Sequence, residues 1–414
     1  MEFSVREQSD AAGIALEELR SRHARCRSLL EQFAPGAKGL LVFNRVNIYY
    51  FTGTPCNGVF WLPLEGEPVL MAKRSLERAL ADSPLPNIVP YRSFKDIPGI
   101  LEGLGQNLPA VAAAEQSSLP WAMADQLQKQ LSSTRFVSGD TALARLRAVK
   151  SPYELEKMRM AGARHNESLI SLVPAAVRPG MTELDIARRL LDIFISQGHA
   201  GTTRLQSYGE ESFSGTVAVG ENSLVPGHNS FSHGYRGLHP AVPFLGSPTA
   251  VWQPGGLLGL DNAFSWQGYL TDITQVYFAG KESGIPAPVR KAQDVCLEVE
   301  AVVCGSMRAG AVPSELYAMA LEIVEKYGYT DSFMGVGSSK AGFLGHGIGL
   351  FQDEWPVLAK RFDDPLEEGM IIAVEPKIAV PGFGMTGTEN TWEIRDTGAV
   401  SITGAPRTII CVEG

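Results

Sequence analysis

The sequence has few cysteines, and their arrangement excludes several kinds of site. It contains five, an odd number, and none of them shows C-x-x-C spacing. Disulfide frameworks and zinc knuckles need an even number of cysteines or closely spaced pairs. We therefore expect reduced and mostly buried thiols at Cys26, Cys56, Cys296, Cys304 and Cys411.

Positive charge and long apolar runs are also scarce. The chain has 36 Lys and Arg against 45 Asp and Glu, a net charge of −9. Phosphate binding needs a basic surface, so we expect no nucleic-acid partner. No run of eighteen apolar residues occurs, and the first residues lack a basic start followed by an apolar core. We therefore expect no membrane partner and a cytoplasmic location. No glycine-rich fingerprint joins a strand to a helix, which excludes a dinucleotide-binding enzyme.

The length of 414 residues exceeds a comfortable single core and predicts two domains. We place the boundary so that residues 1–145 form a smaller N-terminal domain and residues 146–414 the second one. The N-terminal stretch alternates helical and strand-like segments, which is typical of a compact α/β domain. It predicts a helix over 11–33, a strand over 39–43, a strand and turn over 47–53, and a hairpin around Glu65-Gly66.

The second domain opens with strong helix signals. Residues 151–154, Ser-Pro-Tyr-Glu, predict a capping box and a long helix to about residue 172. Thr182 is predicted to cap a second helix. Residues 178–184 are echoed about 130 residues later by residues 308–316, again between a longer and a shorter predicted helix. This internal repeat predicts two related halves of helices and sheet, that is, an α+β domain.

Two aspartates, Asp261 and Asp272, lie eleven residues apart inside apolar, strand-like sequence. Gln267-Gly268 between them predicts a hairpin. The odd spacing could bring both carboxylates together if the turn or a bulge absorbs one residue. Buried carboxylates are costly unless they are paired, hydrogen-bonded or bound to metal. Aspartates that only cap strand ends or turns are the alternative.

Three further groups follow in apolar or glycine-rich sequence: His346, Glu375 and Glu389. One imidazole and four carboxylates suit hard or borderline divalent ions such as Mn, Co, Fe or Zn. Four negative charges in one pocket would repel strongly without cations. The order Asp, Asp, His, Glu, Glu therefore predicts a metal site.

With these residues the chain resembles the pita-bread metallohydrolases: methionine aminopeptidase, aminopeptidase P, prolidase and the metal-free relative creatinase. The resemblance also rests on residues 345–350, Gly-His-Gly-Ile-Gly-Leu, and on Val374-Glu375-Pro376. It covers nearly the whole chain and is strongest for the Xaa-Pro peptidase branch. It implies a pita-bread catalytic domain with a pseudo-twofold repeat, preceded by a creatinase-like N-terminal domain, and it suggests a homodimer.

The resemblance also implies the chemistry. Two divalent metal ions would be bridged by Asp272 and Glu389, with Asp261 on one ion and His346 and Glu375 on the other. Two close ions can bridge a water and lower its pKa, so the chain would hydrolyse a C–N bond. Glu375 would serve as ligand and as catalytic proton acceptor. The implied substrate is a small peptide with an Xaa-Pro bond, cleaved by an aminopeptidase or a dipeptidase.

A glycine-rich segment over residues 220–254 contains three histidines. Such long loops are often pocket walls or lids. In the resembling family a substrate-facing histidine follows a Gly-x-Asn motif, which residues 220–222 match, so His228 is the candidate catalytic histidine. Solvated loop histidines are the alternative for His228, and more so for His233 and His239.

The chain departs from the family where substrate would be contacted. The family has histidines at the positions of Asp353 and Gly342, arginines at Gln275 and Gly387, and a tyrosine at Ala379. An ionised Asp353 cannot donate to a peptide carbonyl. The alternatives are therefore a hydrolase of small non-peptide amides or amidines, as in creatinase, and a catalytically silent binding module.

Overall fold

The computed structural model describes residues 13–228 and 231–414, and the chain divides into two compact units between Arg147 and Ala148. The predicted domain boundary after residue 145 lies two residues away. Residues 11 and 12 of the predicted first helix lie outside the described residues.

The N-terminal unit is built on one mixed sheet of six strands in the order β4-β3-β2-β1-β5-β6. Its apolar core, around Leu41, Trp61 and Ile97, lies between this sheet and the helices that pack on it. The elements in chain order are α1 (Leu16–Phe33), β1 (Gly39–Val42), α2 (Arg45–Thr52), β2 (Gly58–Pro63), β3 (Val69–Ala72), α3 (Leu76–Asp82), β4 (Ile88–Pro90), α4 (Ile97–Gly103), β5 (Val111–Ala114), α5 (Trp121–Gln130), β6 (Arg135–Ser138) and α6 (Asp140–Ala148).

One prediction in this unit is wrong. The stretch 47–53, expected to be a strand, belongs to helix α2. Its ends explain the difference: the Asn44 side chain accepts a hydrogen bond from the amide of Val46, and Gly53 closes the helix in the left-handed conformation at φ 79°. An apolar run of this length fits a buried helix as well as a strand, so the caps decide. The predicted hairpin around Glu65-Gly66 is confirmed by the antiparallel pair β2–β3.

The C-terminal unit contains two helix-helix-sheet halves. The first half has α7 (Pro152–Glu167), α8 (Val173–Ala176), α9 (Glu183–Ser196), β7 (Gly215–Val219), β8 (Leu257–Trp266) and β9 (Tyr269–Ala279). The second half has α10 (Ala287–Ser306), α11 (Pro313–Lys326), β10 (Phe343–Gly347), β11 (Glu354–Ala359), β12 (Ile371–Val374), β13 (Lys377–Val380), β14 (Gly384–Gly387), β15 (Asn390–Arg395), β16 (Gly398–Ser401) and β17 (Ile410–Val412).

The helix signals of the sequence are confirmed. Ser151 and Glu154 form the predicted capping box, and Thr182 caps α9 through Asp185. The first helix does not stop near residue 172, because a π-helical turn, Ser168–Leu172, joins α7 directly to α8. The long-then-short helix order recurs as α10 and α11, in agreement with the predicted repeat.

The sheets of the two halves meet near Thr274 and Glu389. Strands β9, β8 and β7 of the first half form a sheet in the order β17-β9-β8-β7, whose edge strand β17 comes from the second half. The other strands of the second half form the sheet β11-β10-β12-β15-β16 and the pair β13-β14. An isolated β-bridge joins Thr274 of β9 to Glu389, which lies between β14 and β15. Each half has its own apolar core. The polar residues described below therefore lie where the two halves meet.

Candidate active site

The β8–β9 hairpin positions the two aspartates. Its two-residue turn has positive φ at Gln267 (51°) and Gly268 (89°), as primed hairpin turns require. The resulting register pairs Asp261 with Thr274 and Ala263 with Asp272 without a bulge. Directly paired residues share a face and so do residues two apart, so both carboxylates lie on one face of the hairpin. The bulge considered from the odd spacing is unnecessary.

The second half supplies the other three predicted ligands from neighbouring strands. His346 lies on β10 and pairs with Ala373 of β12. Glu375 follows β12 directly. Glu389 lies between β14 and β15, and its Oε2 accepts a hydrogen bond of 2.7 Å from the hydroxyl of Thr274. The three carboxylates nearest the core, those of Asp272, Glu375 and Glu389, are at most 4% exposed.

The five residues form two overlapping groups that share Glu389. In one, potential ligand atoms of Asp272, His346 and Glu389 lie within 4.8 Å of one another; in the other, those of Asp261, Glu375 and Glu389 do so. The predicted pairing of Glu375 with His346 differs from this grouping, although their Oε1 and Nε2 atoms are 3.5 Å apart. We call Asp272, His346 and Glu389 the histidine group, and Asp261, Glu375 and Glu389 the Asp261 group.

Hydrogen bonds hold two residues of the histidine group, Asp272 and His346. Gln352 Nε2 donates to Asp272 Oδ2 over 2.5 Å, while the buried Oδ1 has no hydrogen-bond partner among the described residues. Burial raises the pKa of Asp272 well above its usual range, and the nearby Asp261 charge raises it further. His346 Nδ1 donates to the carbonyl oxygen of Gly347 over 3.0 Å, so Nε2 is the ring nitrogen left to bind a metal ion.

The Asp261 group contains a residue that the sequence analysis missed, Lys377. Its ammonium lies 3.0 Å from Asp261 Oδ2, 2.7 Å from Glu375 Oε2 and 3.0 Å from Glu389 Oε2. Burial alone would lower the pKa of Lys377, but the three carboxylates outweigh it and the pKa is raised well above its usual range. The available signal was a charged residue two positions after Glu375 in an otherwise apolar run.

Glu375 is also held from the glycine-rich segment. Ser232 donates a hydrogen bond of 2.6 Å to Glu375 Oε2, the same oxygen that Lys377 contacts. Burial raises the pKa of the neighbouring Glu389 well above its usual range, and the Asp272 charge raises it further. A buried cluster of this kind retains protons when no cation balances it.

The three loop histidines differ in position. His228, the predicted catalytic one, is exposed, and its backbone amide donates to the hydroxyl of Tyr235. His239 is exposed as well. His233 is buried, with Nδ1 3.2 Å from the Thr216 hydroxyl and its ring packed over Gly259. Burial lowers the pKa of His233 to about 4, partly offset by the Asp261 charge. His233 is therefore a buried loop histidine that packs against the strand carrying Asp261, and the role of His228 stays a prediction.

Two of the residues that depart from the family pattern, Asp353 and Gln275, make hydrogen bonds within the structure. Asp353 accepts hydrogen bonds from the amides of Gln206 and Ser207 and from the Ser207 hydroxyl, so it holds that loop. Gln275 is buried and donates to the carbonyl oxygens of Val276 and Thr408. Ala379 is buried, and Gly342 lies before β10.

A cavity of about 220 Å³ opens beside the cluster. His346 and Glu375 reach it from the cluster, and Phe231, Phe343 and Val357 supply apolar wall. The remaining lining consists of Leu205, Ser207, Glu210, Gln352, Asp353 and Glu354. The site therefore combines buried ligand atoms with an adjoining space in which a small substrate can bind.

Comparison with known families identifies the family to which the chain belongs. Residues 156–396 match the metallopeptidase family M24, and residues 22–149 match the creatinase/prolidase N-terminal domain. The chain belongs to the M24 metallopeptidases. All five predicted ligands lie inside the M24 match.

Relatives of this M24 metallopeptidase agree over most of its length. It is 24% identical to the Xaa-Pro dipeptidase of Pyrococcus furiosus, over 88% of this chain and 93% of that one. The solved Xaa-Pro dipeptidase of Bacillus anthracis superposes with a TM-score of 0.78 at 22% identity, over 95% of this chain and 99% of that one. The X-Pro aminopeptidase of Thermotoga maritima gives 0.75 at 22% identity, over 94% and 99%.

These likenesses confirm the predicted pita-bread fold with its creatinase-like N-terminal domain. Membership of a metallopeptidase family and the acidic cluster with one histidine imply divalent-metal binding. The histidine group fits such an ion, because it offers the unpartnered Asp272 Oδ1 and the Nε2 lone pair of His346. The Asp261 group is already in contact with an ammonium. In the described part of the chain no helix is long and apolar enough to cross a membrane.

Proposed function

We propose that this M24 metallopeptidase is a metal-dependent Xaa-Pro peptidase, which hydrolyses the bond in front of proline in small peptides. The observation that carries the proposal is the convergence of all five predicted ligands beside a cavity, in a chain whose curated relative is named an Xaa-Pro dipeptidase. A divalent ion, among Mn, Co, Fe or Zn, would be held by Asp272, His346 and Glu389.

When bound, such an ion would polarise the scissile carbonyl and lower the pKa of a bound water towards neutrality. Glu375 is the residue placed to accept the proton of the attacking water. Its Oε2 is engaged by Ser232 and Lys377, whereas Oε1 faces His346 at the cavity. A carboxylate fixed on one side in this way keeps the other oxygen oriented for proton transfer.

Other residues orient the site. Gln352 holds Asp272 through Oδ2, and the Gly347 carbonyl sets the tautomer of His346. Asp353 fixes the loop at residues 206–207, which forms one wall of the cavity. The two ions expected from the family resemblance would require the Asp261 group to hold the second one.

A second candidate substrate class follows from the charge of the cavity. Its lining includes the carboxylates of Glu210, Asp353, Glu354 and Glu375, and within that lining His346 alone can become cationic. Two of the four are paired with lysines outside the lining, Glu354 with Lys150 and Glu375 with Lys377, and the other two add negative charge. Such a cavity favours a neutral or positively charged substrate over one with a free carboxylate. A small amidine or amide, the alternative raised by the sequence, fits this charge, as does a longer peptide in place of a dipeptide.

The test is hydrolysis of a matched series by Mn- or Co-loaded protein: an Xaa-Pro dipeptide, the same dipeptide with an amidated C-terminus, a longer Xaa-Pro peptide, and a small amidine. We expect chelator-sensitive cleavage in front of proline, with the amidated or longer substrate preferred. Cleavage of the amidine alone would replace the peptidase proposal by the alternative. No cleavage of any substrate by metal-loaded protein would contradict both.

We also propose a homodimer, from the same family resemblance, and a cytoplasmic location. Size-exclusion chromatography with light scattering measures the assembly. A monomer at micromolar concentration would contradict the dimer.

A further inference from the structure

The position of Lys377 bears on the number of ions that the site can hold. Its side chain is fully buried, and its ammonium is the common neighbour of the three carboxylates of the Asp261 group. Those carboxylates can place one oxygen each within 4.8 Å of the others, the arrangement that holds a cation. The cation found there is the lysine itself.

An ion and the ammonium cannot share this position. Divalent ions of this class bind carboxylate oxygens at about 2.0–2.2 Å. An ion on the three oxygens that Lys377 contacts, Asp261 Oδ2, Glu375 Oε2 and Glu389 Oε2, would therefore lie close to an ammonium that is 2.7–3.0 Å from each of them. Charge repulsion and overlap both oppose this, so the lysine would have to leave first.

The neighbouring strand leaves room for the lysine stem. Lys377 pairs with Gly387 across the β13–β14 hairpin. A Cβ added at Gly387 would lie 2.8 Å from Lys377 Cα and 3.0 Å from its Cγ, so the lysine stem runs close over the glycine. An arginine at position 387, as the family resemblance implies, would overlap the stem that carries the ammonium into the cluster, so Gly387 leaves room for Lys377.

The histidine group shows the opposite condition. Of the described residues, none donates to the buried Asp272 Oδ1, and the contact of His346 Nδ1 with the Gly347 carbonyl leaves Nε2 as the nitrogen for a metal ion. Both atoms are suited to a metal ion and neither is engaged by Lys377, which contacts this group only through the shared Glu389.

We propose that Lys377 is a resident cation that replaces one of the two divalent ions, so that each chain binds a single ion in the histidine group. This deepens the proposed metal-dependent activity and rests on it for the presence of an ion. One ion and the ammonium balance most of the charge of the four carboxylates, and the Asp261 group then acts by holding Glu375 and Glu389 in position.

The decisive experiment counts ions. Full-length protein is stripped with a chelator, dialysed to equilibrium against Mn²⁺, and its metal content is measured by mass spectrometry. Wild type is expected to bind about one ion per chain, and Lys377→Ala, which removes both charge and stem, about two. Lys150→Ala is the matched control, because Lys150 is also a buried lysine paired with a carboxylate, Glu354, outside the cluster. It should stay at one.

A second readout needs no variant. Electron paramagnetic resonance of the Mn²⁺-loaded wild type should show the spectrum of an isolated ion, without the coupling of a close pair, up to saturation. This result stands even if Lys377→Ala does not fold, which circular dichroism would reveal.

Two ions in wild type, or a coupled spectrum, would overturn the proposal, and so would a folded Lys377→Ala that still binds one. Wild type with no ion would overturn it as well. One ion without cleavage of any Xaa-Pro substrate would instead contradict the proposed function and leave the ion count intact.

Discussion

The two ligand groups of the site are built from the same kinds of residue but are balanced differently. The Asp261 group has three carboxylates around a buried ammonium, whereas the histidine group has two carboxylates, an imidazole and an unpartnered buried oxygen at Asp272. They share Glu389. The difference teaches that a cluster of potential ligands is not by itself a count of metal ions, because an ammonium can stabilise the same carboxylates.

The difference also has a functional side. A metal ion is exchangeable and acts as a Lewis acid, whereas a lysine is covalently fixed and donates hydrogen bonds only. The Asp261 group is thus suited to fixing geometry, and the histidine group to the chemistry. Variants that affect one group and not the other test this division.

The largest effect is expected for His346→Ala, which removes the nitrogen ligand of the histidine group. Mn²⁺ affinity should fall by at least ~100-fold. The value of kcat/KM should fall by at least ~10³-fold, because the bound ion contributes several kcal/mol of transition-state stabilisation. Isothermal titration calorimetry and steady-state kinetics measure the two losses. His239→Ala, at an exposed loop histidine, is the control and should resemble wild type. Wild-type affinity in His346→Ala would place the ion in the Asp261 group and reverse the comparison.

A smaller effect is expected for Gln352→Leu, which removes the 2.5 Å hydrogen bond to Asp272 Oδ2 but keeps the bulk of the side chain. Residues that orient metal ligands typically contribute about 10–100-fold to metal affinity, and we expect a loss in that range. Gln128→Leu, which removes a bond to a backbone carbonyl in the N-terminal unit, controls for the general cost of the change. Unchanged Mn²⁺ affinity in folded Gln352→Leu would mean that Asp272 does not hold the ion.

Much of this site was predictable from the sequence. Carboxylates in apolar strands are costly without a partner, so Asp261, Asp272, Glu375 and Glu389 stood out. The hairpin that aligns the aspartates was predictable from Gln267-Gly268, because turn type fixes register. The repeat predicted that the halves would face each other.

Other features depend on contacts distant in sequence. Lys377 lies between residues that the pattern identified, but a lysine at a strand start is ordinarily exposed, and its burial follows from three carboxylates on three different segments. The burial of the loop histidines could not be predicted for a similar reason. Helical or strand spacing says nothing about a loop, and His233 is buried through its contacts with Thr216 and Gly259. The helix at residues 45–52 is marked only by its caps, Asn44 and Gly53, because its apolar run fits a strand equally well.

The smallest effect is expected for Ser232→Ala, which removes the 2.6 Å hydrogen bond to Glu375 Oε2. The ammonium of Lys377 remains 2.7 Å from the same oxygen, so Glu375 stays in place and we expect less than about a tenfold loss in kcat/KM. In a Lys377→Ala background the serine becomes the remaining described donor to that oxygen, and the same change should cost several-fold more. A double-mutant cycle measures this coupling. Additive losses would show that Lys377 does not position Glu375, and the Asp261 group would then lose the role that distinguishes it from the histidine group.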